Sequence, residues 1–223
     1  PGTDPMTAHA LRRTLASDPD AFPQDVLELI SYFEGQGERG IRAVPGSGLR
    51  VPIYILGSST FGAQVAAALG LPFAFASHFA ALMMLPAIQI YRANFRASSS
   101  TWGSARPYVM LGINVVAADS EADARLLATS GRESFASLRR GVPIQLPPPN
   151  KEYEKDVVPF GTIPLEEMPL VAFVGTESTI ADGLRRFVAA TGADELIATS
   201  HIYDHAARVR SLEILAEAAN GLR

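Results

Sequence analysis

Residues 51–71, VPIYILGSSTFGAQVAAALGL, determine the fold class that the sequence predicts. They begin with a continuously apolar run at 51–56, which is typical of a strand covered on both faces in a parallel sheet. A Gly-Ser-Ser-Thr turn follows, and the alanine-rich segment at 60–69 predicts a helix that packs close to the sheet and ends before Gly70. Such a turn can bind an anion, because backbone N–H groups and the helix dipole both point at it.

Three further apolar runs, each followed by a helical pattern, repeat this alternation of strand and helix. The predicted strands lie at 72–77, 108–117 and 195–200, and the helices at 81–95, at 120–139 and from Asp204 onward. A helix that starts at Thr176 and ends before Gly192 precedes the last strand, and two helices, from Asp4 and from near Pro23, precede the first. Four β–α units predict an α/β fold with a parallel sheet, either open and doubly wound or part of a barrel.

Composition narrows the function classes. The chain is 48% hydrophobic and 19% charged with a net charge of −4, which predicts a globular protein whose partner is neither nucleic acid nor a membrane. Without cysteine it has no disulfide, no thiolate nucleophile and no Cys-based metal site. Each apolar stretch is interrupted by a polar residue, and the first ten residues lack the pattern of a secretory signal, so we expect a cytoplasmic protein.

Residues 141–169 differ from the rest of the chain. They are rich in proline, carry a charged patch at 151–156 and show no hydrophobic period. A long segment of this kind inside a compact domain predicts a lid, a partner-binding loop or a mobile insertion.

Polar residues cluster where the predicted strands end. These ends are Gly57–Gly62, Ser77-His78, Asn114 and residues 200–205, and they hold three of the four histidines. Because ligands bind at the carboxyl ends of parallel strands in both architectures, this pattern predicts one shared site.

Each motif also has a simpler interpretation. The sequence GSSTFG could bind phosphate or could only cap a helix, and it lacks both the Walker lysine and the GxGxxG pattern. His201, Asp204 and His205 could ligate a metal, but without a third ligand cluster we favour Asp204 as a helix cap and predict no metal site. A hydrolytic triad of Ser58, His78 and Asp204 ranks low because the GxSxG elbow is missing.

Three long segments resemble the bacterial luciferase-like flavin monooxygenases, specifically the luciferase family oxidoreductases. They are VPIYILGSSTFGAQVAAALGLPFAFASHFA, RPYVMLGINVVAADSEADARLLATS and VGTESTIADGLRRFVAATGADELIATSHIYDHAARVRS. The resemblance implies a (β/α)₈ TIM barrel of which this chain, 1–223, supplies strands five to eight as a single domain. It makes 141–169 the mobile loop over the active site. Members of the family are longer, so we expect the chain to be a fragment or one half of an assembly.

The resemblance also assigns roles to residues. Ser58 and Ser59 would hold the phosphate of FMN through their hydroxyls, and Gly57, Thr60, Phe61 and Gly62 would complete this cofactor-binding turn. His78 would face the flavin, and His201 or Tyr203 would lie at the barrel mouth. We therefore predict His78 and His201 as the catalytic residues.

The implied function is a monooxygenase that uses reduced FMN and O₂ on a small organic substrate. A deazaflavin is the less favoured cofactor, and a separate flavin reductase is a candidate partner. A homodimer or pairing with a missing half is expected. The alternative is a catalytically inactive barrel subunit that binds flavin and pairs with an active one.

Overall fold

The computed structural model describes residues 21–35, 42–97 and 103–222. Contacts divide the chain into two compact units, the first comprising residues 1–53 with 100–102 and the second 54–99 with 103–223. The helix predicted from Asp4 lies outside the described residues, and the single domain at 1–223 stays a prediction. All strands of the described residues belong to the second unit.

The first unit contains helix α1, Phe22–Phe33, with proline in its first turn and Val26 buried. The chain then turns at Gly35, whose φ of 73° is a left-handed conformation that glycine adopts without strain. The N–H of Gly48 donates to the carbonyl of Phe33 at 2.7 Å, which closes the turn that follows. The helix predicted from near Pro23 to Gly35 is thus confirmed.

The second unit alternates strand and helix along the described residues. Its elements are β1 (Ile55–Gly57), α2 (Thr60–Leu69), β2 (Phe73–Phe75), α3 (Met84–Asn94), β3 (Val109–Ala117), α4 (Glu121–Arg139), β4 (Ala172–Gly175), α5 (Glu177–Thr191), β5 (Glu195–Thr199) and α6 (His205–Ala219). Short 3₁₀ segments lie at Ala81–Met83, Lys151–Asp156, Leu165–Glu167 and Asn220–Leu222. Within the described ranges, no helix has the length and apolarity needed to cross a membrane.

All pairings in the sheet of the described residues are parallel, and the four predicted strands pair in chain order as β1–β2–β3–β5. This sequential order disfavours the open doubly wound sheet. Strand β4 pairs only with residues 114–117 at the carboxyl end of β3. The backbone hydrogen-bonding groups of successive residues in a strand point to alternate sides. Tyr108 bonds to β2 and Val109 bonds to the segment before β5, so even-numbered residues of β3 face β2 and odd-numbered ones face β5. Asn114 bonds to Val171, which places β4 on the same side of β3 as β2.

The sequence prediction was wrong about the number of strands in this unit, since it missed β4. That strand has four residues and directly follows the proline-rich segment, so its apolar run LVAFVG is too short and too poorly bounded to be distinguished from the loop. The prediction for 51–56 was also too long, because β1 begins at Ile55, and Leu56 is 68% exposed rather than covered. An apolar run indicates that both faces are suited to burial and does not show that both are buried.

One face of the sheet forms the core of the unit. Phe73, Phe75, Val109 and Leu111 are fully buried on this face. The alanines of α2 that were predicted to allow close packing are buried to the same degree: Ala63, Ala66 and Ala67. Helices α2 and α5 end at Gly70 and Gly192, both left-handed, as the sequence predicts.

The opposite face of the sheet is apolar but open over part of its area. Residues alternate between faces along a strand, so Leu56, Met110 and Ile197 share this second face. Leu56 is 68% exposed and Ile197 is 55% exposed. Asn114 and Thr199 lie on the same face, nearer the carboxyl ends of the strands.

Tyr91 on α3 joins the helix layer to the sheet. Its hydroxyl donates to the carbonyl of Leu71 at 2.9 Å and accepts from the N–H of Tyr108 at 3.1 Å, with the side chain fully buried. Its ring packs against Phe73 at a centroid distance of 5.4 Å. The hydroxyl therefore satisfies two backbone groups just outside β2 and β3.

We predict that Tyr91→Phe lowers the free energy of unfolding by about 1–2 kcal/mol, because two buried backbone groups lose their partner while the ring packing is kept. Urea denaturation followed by circular dichroism measures the change. Tyr203→Phe, at an exposed tyrosine, is the control and should leave stability within about 0.5 kcal/mol. Equal stability of Tyr91→Phe and wild type would contradict this role.

Candidate functional site

The side chain of Asn114 joins the ends of four strands. Its Oδ1 accepts from the hydroxyl of Thr199 at 3.0 Å and lies 3.2 Å from Nδ1 of His201. Its Nδ2 donates to the carbonyl of His78 at 2.5 Å and to that of Val171 at 3.3 Å. These partners come from the segments next to β2, β4 and β5, so one amide in β3 positions polar groups from all of them.

His78 lies directly over the open face of the sheet. A Cβ atom on Gly112 would collide with its Nδ1, so the ring requires glycine at that position of β3. The preceding residue is fixed there too, because the hydroxyl of Ser77 donates to the carbonyl of Gly112 at 2.6 Å. The Nδ1 atom of His78 is buried and has no hydrogen-bond partner within the described part of the chain. Leaving this buried atom unsatisfied is an energetic cost of packing the ring against Gly112.

The electrostatics favour the neutral form of His78 over the charged one. Burial lowers the pKa of its imidazole below the usual 6.5, and the nearby His201 lowers it further. A neutral imidazole can either donate or accept one hydrogen bond at Nδ1, depending on its tautomer.

A cavity of about 340 Å³ opens beside these two histidines. This volume is within the range of about 300–1,000 Å³ that is typical of small-ligand sites. Most of the wall is apolar, and the polar residues among the described lining are His78, Asn114, Arg132, Ser134, Asp156 and His201. The cavity therefore suits a largely apolar small molecule with a few polar contacts.

Helix α4 forms one wall of the cavity. It begins at Ser120, whose hydroxyl accepts from the N–H of Asp123 at 3.1 Å, and the predicted capping pattern is thereby confirmed. Gly131 allows the helix to approach the end of β5, since a Cβ there would lie 3.0 Å from Cβ of His201. Loop residues of the segment 141–169 form another part of the wall, with Asp156, Val157 and Val158 lining the cavity.

The GSSTFG turn, residues 57–62, lies at the same edge of the sheet, but none of its residues lines this cavity. The carbonyl of Gly57 accepts from the N–H of Ala76 at 2.9 Å, which ties the turn to the end of β2. Ser59 occupies the N-cap position of α2, yet its hydroxyl makes no capping hydrogen bond, and Ser58 and Ser59 are both exposed. The first turn of α2 has no acidic residue, so nothing in it opposes a bound anion.

The residues after β5 divide between two roles. Oδ1 of Asp204 accepts from the N–H of Ala207 at 2.8 Å, so Asp204 is a helix cap as favoured above. His205 lies in the first turn of α6 with its Nδ1 2.9 Å from the guanidinium of Arg208. Tyr203 is exposed and is not part of the described cavity lining, whereas His201 is.

Two other candidate sites do not assemble among the described residues. They contain no group of three or more His, Cys, Asp or Glu side chains that could hold a metal ion. Ser58, His78 and Asp204 form no hydrogen-bonded triad, because Nδ1 of His78 is without a partner and the described bond of the Asp204 carboxylate is to its own helix.

Sequence reasoning missed the part of the cavity that α4 and β4 supply. The helix turns Ala128, Arg132 and Phe135 toward the cavity at the i, i+4, i+7 spacing of one helical face. That spacing was visible in the sequence, but the same pattern describes any face packed on a core. The contribution of β4, with Phe173 and Val174, was lost because the strand itself was not recognised.

Several enzyme classes have a parallel α/β sheet with a ligand-sized cavity at the carboxyl ends of its strands. Comparison with known proteins identifies the family to which this chain belongs. The family model described as luciferase-like monooxygenase matches residues 7–195. The chain is 42% identical over 215 residues to the luciferase-like monooxygenase of Escherichia coli K12, covering 96% of this chain and 63% of that protein. The protein YvbT of Bacillus subtilis strain 168 is also 42% identical, over 97% of this chain and 64% of its own.

Among solved structures, apo-MsnO8 superposes with a TM-score of 0.81 at 28% identity, over 98% of this chain and 65% of that one. The chain thus spans somewhat less than two thirds of the length of the proteins it matches. It belongs to the luciferase-like monooxygenase family, and the family resemblance of its sequence is confirmed.

The geometry predicts a measurable coupling between the two histidines. We expect the pKa of His78 to lie below 6.5, and we expect His201→Asn to raise it, since removing the second imidazole removes one of the two causes of the shift. The burial contribution stays, so the pKa should return only part of the way. Titration of the histidine ring signals by NMR measures both effects.

The matched control for this titration is His205→Asn, which removes an exposed histidine four residues away that does not line the cavity. It should leave the pKa of His78 unchanged. A pKa of His78 at 6.5 or above in the wild-type protein would contradict the arrangement described here.

Proposed function

We propose that this protein is a flavin-dependent monooxygenase that uses reduced FMN and O₂ to oxidise a small organic substrate. The observation that carries the proposal is the convergence of His78, Asn114 and His201 on an apolar cavity at the carboxyl edge of the sheet. Family membership supports the same reaction class.

Within this proposal the strands β1, β2, β3 and β5 act as strands five to eight of a (β/α)₈ barrel. Their sequential parallel pairing is what one half of a closed barrel requires. The exposed Leu56 and Ile197 support it, because the inner face of a barrel is apolar and must be covered by the opposite strands. The half that completes the barrel could be another segment of the native protein or a partner subunit.

The turn Gly57–Gly62 fits the phosphate of FMN. The hydroxyls of Ser58 and Ser59 are exposed, and neither caps the helix, so both are available to donate to phosphate oxygens. The ten-residue helix α2 contributes the free N–H groups of its first turn, including those of Thr60 and Phe61. Gly57 and Gly62 lie close together across the turn, since a Cβ on Gly62 would be 3.4 Å from Cα of Gly57, at ordinary van der Waals contact.

The reaction with oxygen is the chemistry that bound reduced FMN would supply, and this chain would hold, orient and shield the reactants. His78 would contact the ligand from the end of β2, and His201 would do so from the end of β5, with Asn114 holding Nδ1 of His201. The apolar wall would exclude water from the reacting groups. A deazaflavin, a separate flavin reductase and a homodimer remain predictions from the resemblance, and a cytoplasmic location remains a prediction from the composition and the N-terminal pattern.

The phosphate assignment predicts the behaviour of one double variant. Replacing Ser58 and Ser59 together by alanine should weaken FMN binding by roughly 1 kcal/mol per lost hydrogen bond. Riboflavin lacks the phosphate, so its binding should not change, and the preference for FMN over riboflavin should narrow. Fluorescence titration of both flavins measures the difference.

Ser178→Ala, at an exposed serine in the first turn of α5, is the control and should leave both affinities unchanged. An unaltered FMN preference in the double variant would remove the phosphate role from this turn.

Turnover distinguishes the proposed enzyme from an inactive flavin-binding subunit. We expect the protein, mixed with FMN, NADH, a flavin reductase and O₂, to oxidise candidate substrates at a rate above that of the reductase and FMN alone. Mass spectrometry of the substrate pool would detect a product heavier by one oxygen atom, and ¹⁸O₂ would show its source. Bound flavin without any such product would favour the inactive subunit instead.

A further inference from the structure

Arg132 is a cation in the cavity wall that has no anionic partner among the residues the structure describes. Its Nε is buried and makes no hydrogen bond, and its guanidinium forms no ion pair with any described residue. Its guanidinium carbon lies 5.9 Å from the ring centroid of Phe135, which is one turn further along α4. The side chain as a whole is only partly buried.

Of the guanidinium nitrogens, Nε is the one that is buried without an acceptor, which is unfavourable by itself. Burial of a charge costs free energy unless an opposite charge or hydrogen-bond acceptors compensate it. Asp156 is the only carboxylate among the described residues that line the cavity, and it lies farther from Arg132 than the 4.0 Å of an ion pair. The natural compensation is therefore an acceptor brought into the cavity by a ligand.

The remaining lining defines the rest of that ligand. The wall around Arg132 consists largely of aliphatic and aromatic side chains, among them Val116, Phe135, Leu138 and Val157. A fully polar anion would lose its hydration there without replacement, whereas an apolar body would be favoured by burial. The guanidinium fork matches the two oxygens of a carboxylate.

We propose that the cavity binds an organic carboxylate with an apolar body, and that Arg132 holds its carboxylate group. The inference rests on the proposed function in one respect, because it takes the bound carboxylate to be the substrate that the enzyme oxidises. Flavin phosphate is the other organic anion expected here, but its candidate turn, Gly57–Gly62, is separate from the described cavity lining. Arg132 is thus a specificity-determining residue for the substrate.

The test compares hexanoate with hexanamide, which has the same apolar body and no charge. Isothermal titration of the flavin-free, full-length protein should show hexanoate binding about tenfold more tightly, because a charge-assisted hydrogen bond is stronger than a neutral one. Arg132→Met keeps an extended apolar side chain and should abolish this preference. Arg132→Lys keeps the charge without the fork and should retain part of it.

Arg139→Met is the matched control, because Arg139 lies on the same helix in an exposed position outside the described cavity lining. It changes the net charge equally and should keep the full preference for hexanoate. Circular dichroism checks that each variant is folded, and if Arg132→Met is not, the wild-type comparison and Arg132→Lys decide the question.

Three results would overturn the inference: equal binding of the two probes to the wild-type protein, an unchanged preference in a folded Arg132→Met variant, or a preference that Arg132→Lys keeps in full. A fourth would reassign Arg132 to the cofactor, namely a loss of FMN affinity in Arg132→Met with the hexanoate preference intact. Failure of the proposed function is a separate outcome, since absence of oxygenated product leaves carboxylate binding to the flavin-free protein unaffected.

Discussion

The amide of Asn114 is the interaction on which the arrangement of the site depends. A carboxamide has one accepting and one donating end, and here the accepting end serves the β5 side while the donating end serves the segments after β2 and before β4. A carboxylate could not donate to the two carbonyls, and an aliphatic side chain could make none of these bonds. Asparagine is therefore the residue type that the geometry requires at this point of β3.

Two glycines also help to position the histidines, because each leaves space for one of them. The ring of His78 occupies the space that a side chain on Gly112 would need, and the backbone of His201 lies close to Gly131. Both imidazoles thus lie near the sheet and near each other, and burial together with their proximity lowers the pKa of His78. The same close packing leaves Nδ1 of His78 without a partner among the described residues, which is an energetic cost of seating the ring against Gly112.

The two faces of the sheet differ in how completely they are covered. Its covered face is packed by helices around Phe73, Phe75 and Tyr91, with the backbone groups at the strand starts satisfied. Its other face leaves two large apolar residues exposed on the outer strands, Leu56 on β1 and Ile197 on β5. Polar groups that line the cavity lie at the carboxyl end of that second face, so the open part of the sheet and the candidate site are continuous.

Sequence by itself determined the class of the fold, the limits of most elements and the candidate residues His78 and His201, because hydrophobic period, capping residues and turn glycines act locally. It also located the helix cap at Asp204. Tertiary structure alone decided that both histidines meet at Asn114, that β4 extends the sheet and that Arg132 lines a cavity without an ion-pair partner in the described part of the chain. These facts depend on contacts between segments distant in the chain, and no local pattern specifies which distant groups come within hydrogen-bonding reach.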